Sequence, residues 1–111
     1  MKWLKKALGR TGRKVAEEHV TKGYIAIHEG RLDQAQKHYS DAIDADETLA
    51  VAHFNAGQTE LLRFNRDQAA LDDAGRVERL GVAAAFLEQA LALEASHAPS
   101  WRTLARVRER Q

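Results

Sequence analysis

Two helices can cross closely only where their facing residues are small, and one stretch of this chain supplies such residues on both sides of a corner. It reads Gly23-Tyr24-Ile25-Ala26-Ile27-His28-Glu29-Gly30-Arg31-Leu32-Asp33-Gln34-Ala35 and continues to Tyr39, Ala42 and Ile43. Ala35, Tyr39 and Ala42 are spaced by four and then three residues, which keeps them on one helical face. Gly30 stands where the first helix must stop, because a left-handed C-cap favours glycine. The pattern predicts an antiparallel helical hairpin with Gly23, Ala35 and Ala42 at the crossing.

The rest of the chain agrees with a small helical domain. At 111 residues it is long enough for one core and too short for two. Its apolar residues are mostly Ala and Leu, with a single proline, a composition that favours helix. The absence of cysteine excludes disulfides, thiolate nucleophiles and cysteine-based zinc sites. No apolar run approaches the ~20 residues that span a bilayer. The start, Met1 to Leu8, lacks the long apolar core and cleavage site of a signal peptide, so a cytoplasmic location is expected.

The hairpin pattern returns. After Asp44-Ala45-Asp46-Glu47, His53, Ala56 and Gly57 stand where His19, Lys22 and Gly23 stood, a shift of 34 residues. Phe86 to Glu94 reads as the second helix of this second unit, and Ala98-Pro99-Ser100-Trp101-Arg102-Thr103-Leu104-Ala105 as the opening of a third. This spacing and these residues resemble the tetratricopeptide repeat family over roughly residues 16–111. Lys22 replaces the family's usual Leu, and Glu47 its usual Pro. The resemblance implies an all-α stack of antiparallel helical hairpins. Units fall at about 16–46 and 47–97, with a C-terminal capping helix at 98–111.

The second unit is too long. With Gly57 aligned on Gly23 and Ala90 on Ala42, about fourteen extra residues lie inside the hairpin. Antiparallel arms lengthen together, so the second hairpin should be elongated by near two turns on each arm, with its turn near residues 71–75. A competing turn at Asn65-Arg66-Asp67 would leave the arms unequal. One stripe runs through Ala50, Phe54, Gly57, Leu61, Phe64 and Leu71, and a facing one through Val77, Leu80, Ala84, Leu87 and Leu91. Gly57 is expected to face the second arm near Ala90 and Leu91. Phe64, Leu71, Val77 and Leu80 extend beyond what neighbouring units should cover, so residues 61–82 are expected to protrude and contact a partner or form a homodimer.

The resemblance implies a binding surface on the first helices of each unit. The groove candidates are Val20, Tyr24, Ile27 and His28, then Asn55, Gln58 and Leu62, then Arg102 and Arg106. A tyrosine, aliphatics and arginines suit an extended or helical peptide with apolar anchors and an acidic group. A carboxylate clamp of the chaperone-binding kind is disfavoured, because only Asn55 among Val20, Tyr24, Asn55, Pro99 and Thr103 matches it. No catalytic residue is expected: Ser40, Ser96 and Ser100 lie in no nucleophile motif, and there is no phosphate loop. No cofactor or metal is expected either, since His19, His28, His38, His53 and His97 include no pair three or four residues apart. His19, His53 and Trp101 occupy equivalent positions and read as packing residues.

Residues 1–14 form a separate basic amphipathic arm or helix in this reading. Lys2, Lys5, Lys6, Arg10, Arg13 and Lys14 carry its charge, and it contains no acid. Trp3, Leu4, Ala7 and Leu8 share the opposite face, which is expected to pack on the first repeat. The alternatives are an anionic membrane surface or nucleic-acid phosphates. The expected function is non-enzymatic protein–protein interaction, as an adaptor or scaffold. A secretion-type chaperone holding an exported protein in the same groove is the rival, alongside a membrane or nucleic-acid binder acting through the arm.

Overall fold

Gly30, at φ +75°, ends the first helix. Its amide donates to the Ile27 carbonyl (2.9 Å) and that of Arg31 to Ala26 (2.8 Å), which closes the last turn and reverses the chain. The computed structural model describes residues 2–111, with side chains from residue 12 onward. Its α-helices are α1 (Lys2–His28), α2 (Leu32–Ala45), α3 (Ala50–Asp67), α4 (Asp73–Leu93) and α5 (Ala98–Arg110). Among the described residues there is no strand, so the chain is all-α.

Each helix packs on the next, α1 on α2, α2 on α3, α3 on α4 and α4 on α5. The pairs α1–α2 and α3–α4 run antiparallel. Gly12 lies against the Ala45 carbonyl at one end of the first pair, and Gly23 against Tyr39 towards the other. A Cβ on Gly23 would stand 2.5 Å from the Tyr39 ring, so only glycine admits that ring. Tyr39 is fully buried, and burial pushes its hydroxyl's pKa up to about 12. That hydroxyl has no hydrogen-bond partner among the described residues.

The second pair repeats this contact with Leu87 in the place of Tyr39. A Cβ on Gly57 would meet Leu87 Cγ at 2.7 Å and the Ala83 carbonyl at 3.2 Å. The contact therefore falls on Ala83 and Leu87, about a turn before the expected Ala90 and Leu91. Gly57 is separated from Leu87 by fourteen residues more than Gly23 is from Tyr39. The extra length is shared, giving α3 18 residues and α4 21 against 14 in α2.

The hairpin's turn falls a few residues earlier than expected. A 3-10 turn at Gln68–Ala70 follows α3, and Asp72 caps α4 by accepting from the Gly75 amide (2.7 Å). That cap fixes the helix start immediately after Asp72, which draws Asp73, Ala74 and Gly75 into the first turn of α4. The competing break at Asn65–Asp67 is also absent, since these residues end α3.

The tip is covered. Phe64 and Leu80 are buried with Leu61, Leu87, Leu104 and Val107, and Leu71 packs half-buried against them. Thirteen residues of α5 reach roughly 20 Å, far enough for Arg110 to arrive at the tip. It donates to Asn65 Oδ1 (2.9 Å) and Gln68 Oε1 (3.0 Å) and lies over the Phe64 ring. The expectation that Phe64, Leu71 and Leu80 form an exposed interface fails, because Phe64 and Leu80 are buried with Leu104 and Val107 of α5 and Leu71 is half-buried against that cluster. Val77 alone of the four is open, at 72% exposure.

Two further corrections concern single elements. The backbone is helical without a break from Lys2 to His28, so residues 2–14 continue into the rest of α1 as one element. The side chains of Lys2, Trp3, Lys5, Lys6 and Arg10, and the packing expected of Trp3 and Leu8, lie outside the described residues. Arg13 is described, and it pairs with Asp46 at the end of α2. Trp101 is not a packing residue: it is 52% exposed, with its indole N–H donating to the Ala95 carbonyl (2.8 Å). His53 is buried, with Nε2 2.8 Å from the Glu47 carbonyl.

Candidate partner-binding face

The groove candidates divide into two groups. On α1, Val20 and Ile27 are half-buried against the cluster of Ala26, Ala35, Tyr39 and Ala56, where they seal the first hairpin. Tyr24 is 58% exposed, and its ring meets His28 edge-on at 4.4 Å. The i, i+4 spacing of the two residues puts this exposed aromatic pair on one face of α1.

The second group lies between α3 and α5. Gln58, Leu62 and Arg106 line one cavity of about 240 Å³ with Leu61, Asn65, Thr103, Glu109 and Arg110. Steps of four and three along α3 bring Gln58, Leu62 and Asn65 to one face, and Arg106 and Arg110 stand four apart on α5. Leu62 and Asn65 are exposed, while Leu61 and Thr103 close the floor. Asn55 is half-buried one turn before Gln58, its carbonyl accepting from the Thr59 hydroxyl (2.7 Å). Arg102 is exposed and lines none of this cavity, nor do Tyr24 and His28.

The cavity offers two guanidinium groups and one carboxylate, so its charge favours an acidic group. Arg110 is already engaged at the hairpin tip, which leaves Arg106 as the more available cation. Sequence reasoning placed Thr103 on the binding face of the last helix and Leu61 in the apolar stripe of the second hairpin, but missed Asn65, Glu109 and Arg110. The four-residue step from Arg102 through Arg106 to Arg110 was the available signal, but it does not reveal that α5 runs beside α3.

An ion-pair network holds the corner next to this face. Asp33, in the first turn of α2, accepts from Arg63 (3.0 Å) and Arg66 (3.1 Å) of α3. Arg66 also binds Asp67 (2.7 Å), which Arg79 of α4 approaches at 3.4 Å. The Arg66 hydrogen bonds hold Asp33 and Asp67 below the usual carboxylate range. This network ties the two hairpins together where the exposed α3 face begins. Each pair is solvent-accessible, so its role is orientation more than stability.

The histidine spacing that argued against chelation applies to a single helix. The α1–α2 crossing brings His19 and His38 together, with their Nδ1 atoms 3.2 Å apart. Among the described residues no helix is long and apolar enough to cross a membrane. No protein-family model matches this chain, and no curated protein matches it.

Proposed function

We propose that this chain is a non-enzymatic interaction module of tetratricopeptide type, binding a short helical or extended peptide in the α3–α5 cavity. The observation that carries this reading is the exposed Leu62 between Gln58, Asn65 and Arg106, an apolar anchor point with polar groups around it. Peptide grooves commonly combine these features, with an apolar contact supplying affinity and a charge fixing register. The equivalence of Gly23 against Tyr39 and Gly57 against Leu87, one repeat apart, supports the repeat reading. The ligand in this proposal carries an apolar side chain and a nearby carboxylate. An adaptor and a secretion-type chaperone both fit that description, and the identity of the bound protein separates them.

The test is a fluorescence-anisotropy screen of labelled amphipathic acidic peptides against the full chain, followed by Leu62→Ala and Arg106→Ala. Both side chains are exposed enough to be replaced without loss of the helical spectrum. Each replacement should weaken binding by about tenfold, equivalent to ~1.4 kcal/mol. Binding that survives both replacements but collapses with salt, or on Lys5→Ala with Lys6→Ala, would move the interaction to the basic end of α1.

A further inference from the structure

His19, on α1, and His38 and Asp41, on α2, offer one ligand atom each within 4.8 Å of one another. The arrangement follows from the packing. On α1, Gly23 lies one turn after His19, and it lets the Tyr39 ring press against the helix backbone. Tyr39 is next to His38, so the same close crossing brings the two imidazoles together. Their ring centroids are 5.5 Å apart and the planes are inclined by 31°. Asp41 follows His38 by three residues, which places its carboxylate on the same side of α2.

We propose that His19, His38 and Asp41 form a binding site for a divalent transition-metal ion of the zinc class, bound through the two Nδ1 atoms and a carboxylate oxygen. Two imidazole nitrogens bound to tetrahedral zinc at ~2.0–2.1 Å are separated by about 3.3 Å, and the observed separation is 3.2 Å. Nitrogens this close either share a proton or share a cation, because their lone pairs repel. A hydrogen bond between the two Nδ1 atoms requires one of them to carry a proton and the other to accept it. On binding, that proton moves to Nε2 of its own ring, so two neutral imidazoles coordinate without net proton release. Rotation of the Asp41 side chain closes the third contact.

All three groups are half-buried, which leaves the site reachable from solvent. Lys22 lies three residues after His19 on α1, and Lys37 immediately precedes His38 on α2. Lys22 and Lys37 oppose an added positive charge, and Asp41 offsets them. Three protein ligands leave a coordination position for water or for a group from a partner. A bound ion would fasten α1 to α2.

The experiment titrates zinc chloride into the full chain near neutral pH, by calorimetry and by NMR of the histidine rings. One zinc per chain is expected, together with a rise in melting temperature. In the unaltered protein the ring signals of His19 and His38 should shift, and those of His28, His53 and His97 should not. His38→Gln and Asp41→Asn should each weaken binding by at least about tenfold, the lower end of what loss of a supporting contact to a metal ligand costs. His28→Gln should bind as the parent does. No heat at high micromolar zinc, or ring shifts that spare His19 and His38, would overturn the proposal. The NMR readout needs no variant, so it decides the matter even if a substitution unfolds the hairpin.

Discussion

Gly57→Ala adds one methyl group at a close contact between α3 and α4, and its effect can be worked from the geometry. The new carbon would stand 2.7 Å from Leu87 Cγ, 3.0 Å from Leu87 Cδ2 and 3.2 Å from the Ala83 carbonyl. Comfortable separations between carbons are ~3.5–4.0 Å, so something must move by close to an ångström. Leu87 cannot swing aside, because it is fully buried among Leu61, Phe64, Leu91 and Leu104. The Ala83 oxygen belongs to the helix backbone, so relief requires α4 to shift as a body. Overpacking of this kind costs about 1–3 kcal/mol. Alanine in a helix recovers up to ~1 kcal/mol over glycine. The net effect should be a loss of about 1 kcal/mol, or roughly 4–8 °C in melting temperature. Gly81→Ala supplies the control, since it lies within α4 and a Cβ there meets nothing within 4 Å. It should gain nearly the whole propensity term and melt a few degrees above the parent. Thermal melts and urea titrations of both variants measure the contrast. If Gly57→Ala is stabilised as Gly81→Ala is, the close crossing of α3 and α4 is wrong.

Two shorter predictions address the hairpin tip and the corner between α2 and α3. Phe64→Ala should cost about 3–5 kcal/mol, because it opens a cavity beneath Arg110, whereas Val77→Ala at an open position should stay within about 0.5 kcal/mol; equal losses in urea titrations would show that α5 does not cover the tip. Asp46 is held below the usual carboxylate range first by the Thr48 hydroxyl, then by Arg13 and the Thr48 amide. Its folded pKa is depressed, so its contribution is complete above the ordinary value of 3.8 and is lost as pH falls through the folded value. Asp46→Asn should therefore melt below the parent at neutral pH, and the two curves should converge in strong acid; a difference that persists unchanged there would remove the charged form of Asp46 as its cause.

The local features of the fold were legible in the sequence because helix rules act over a few residues. Gly30 announced its corner by the one conformation that other residues resist. The repeat of Gly23 at Gly57 announced two close crossings, and the fourteen-residue excess announced a longer second hairpin. The turn itself was misplaced by a few residues, since a capping aspartate fixes a helix start more sharply than a count of equal arms. The α3–α5 cavity was only half legible: Gln58, Leu62 and Arg106 were named, while Asn65 and Arg110 depend on how far α5 travels beside its neighbours. Burial at the hairpin tip is the same case, because periodicity shows which face of a helix is apolar and not what will cover it. His19 and His38 are far apart in sequence and share no helix, so only the close approach at Gly23 and Tyr39 could make them neighbours. The sequence by itself determined the helices, their corners and their spacing. The tertiary structure decided which side chains meet across them, because that depends on where whole helices lie relative to one another.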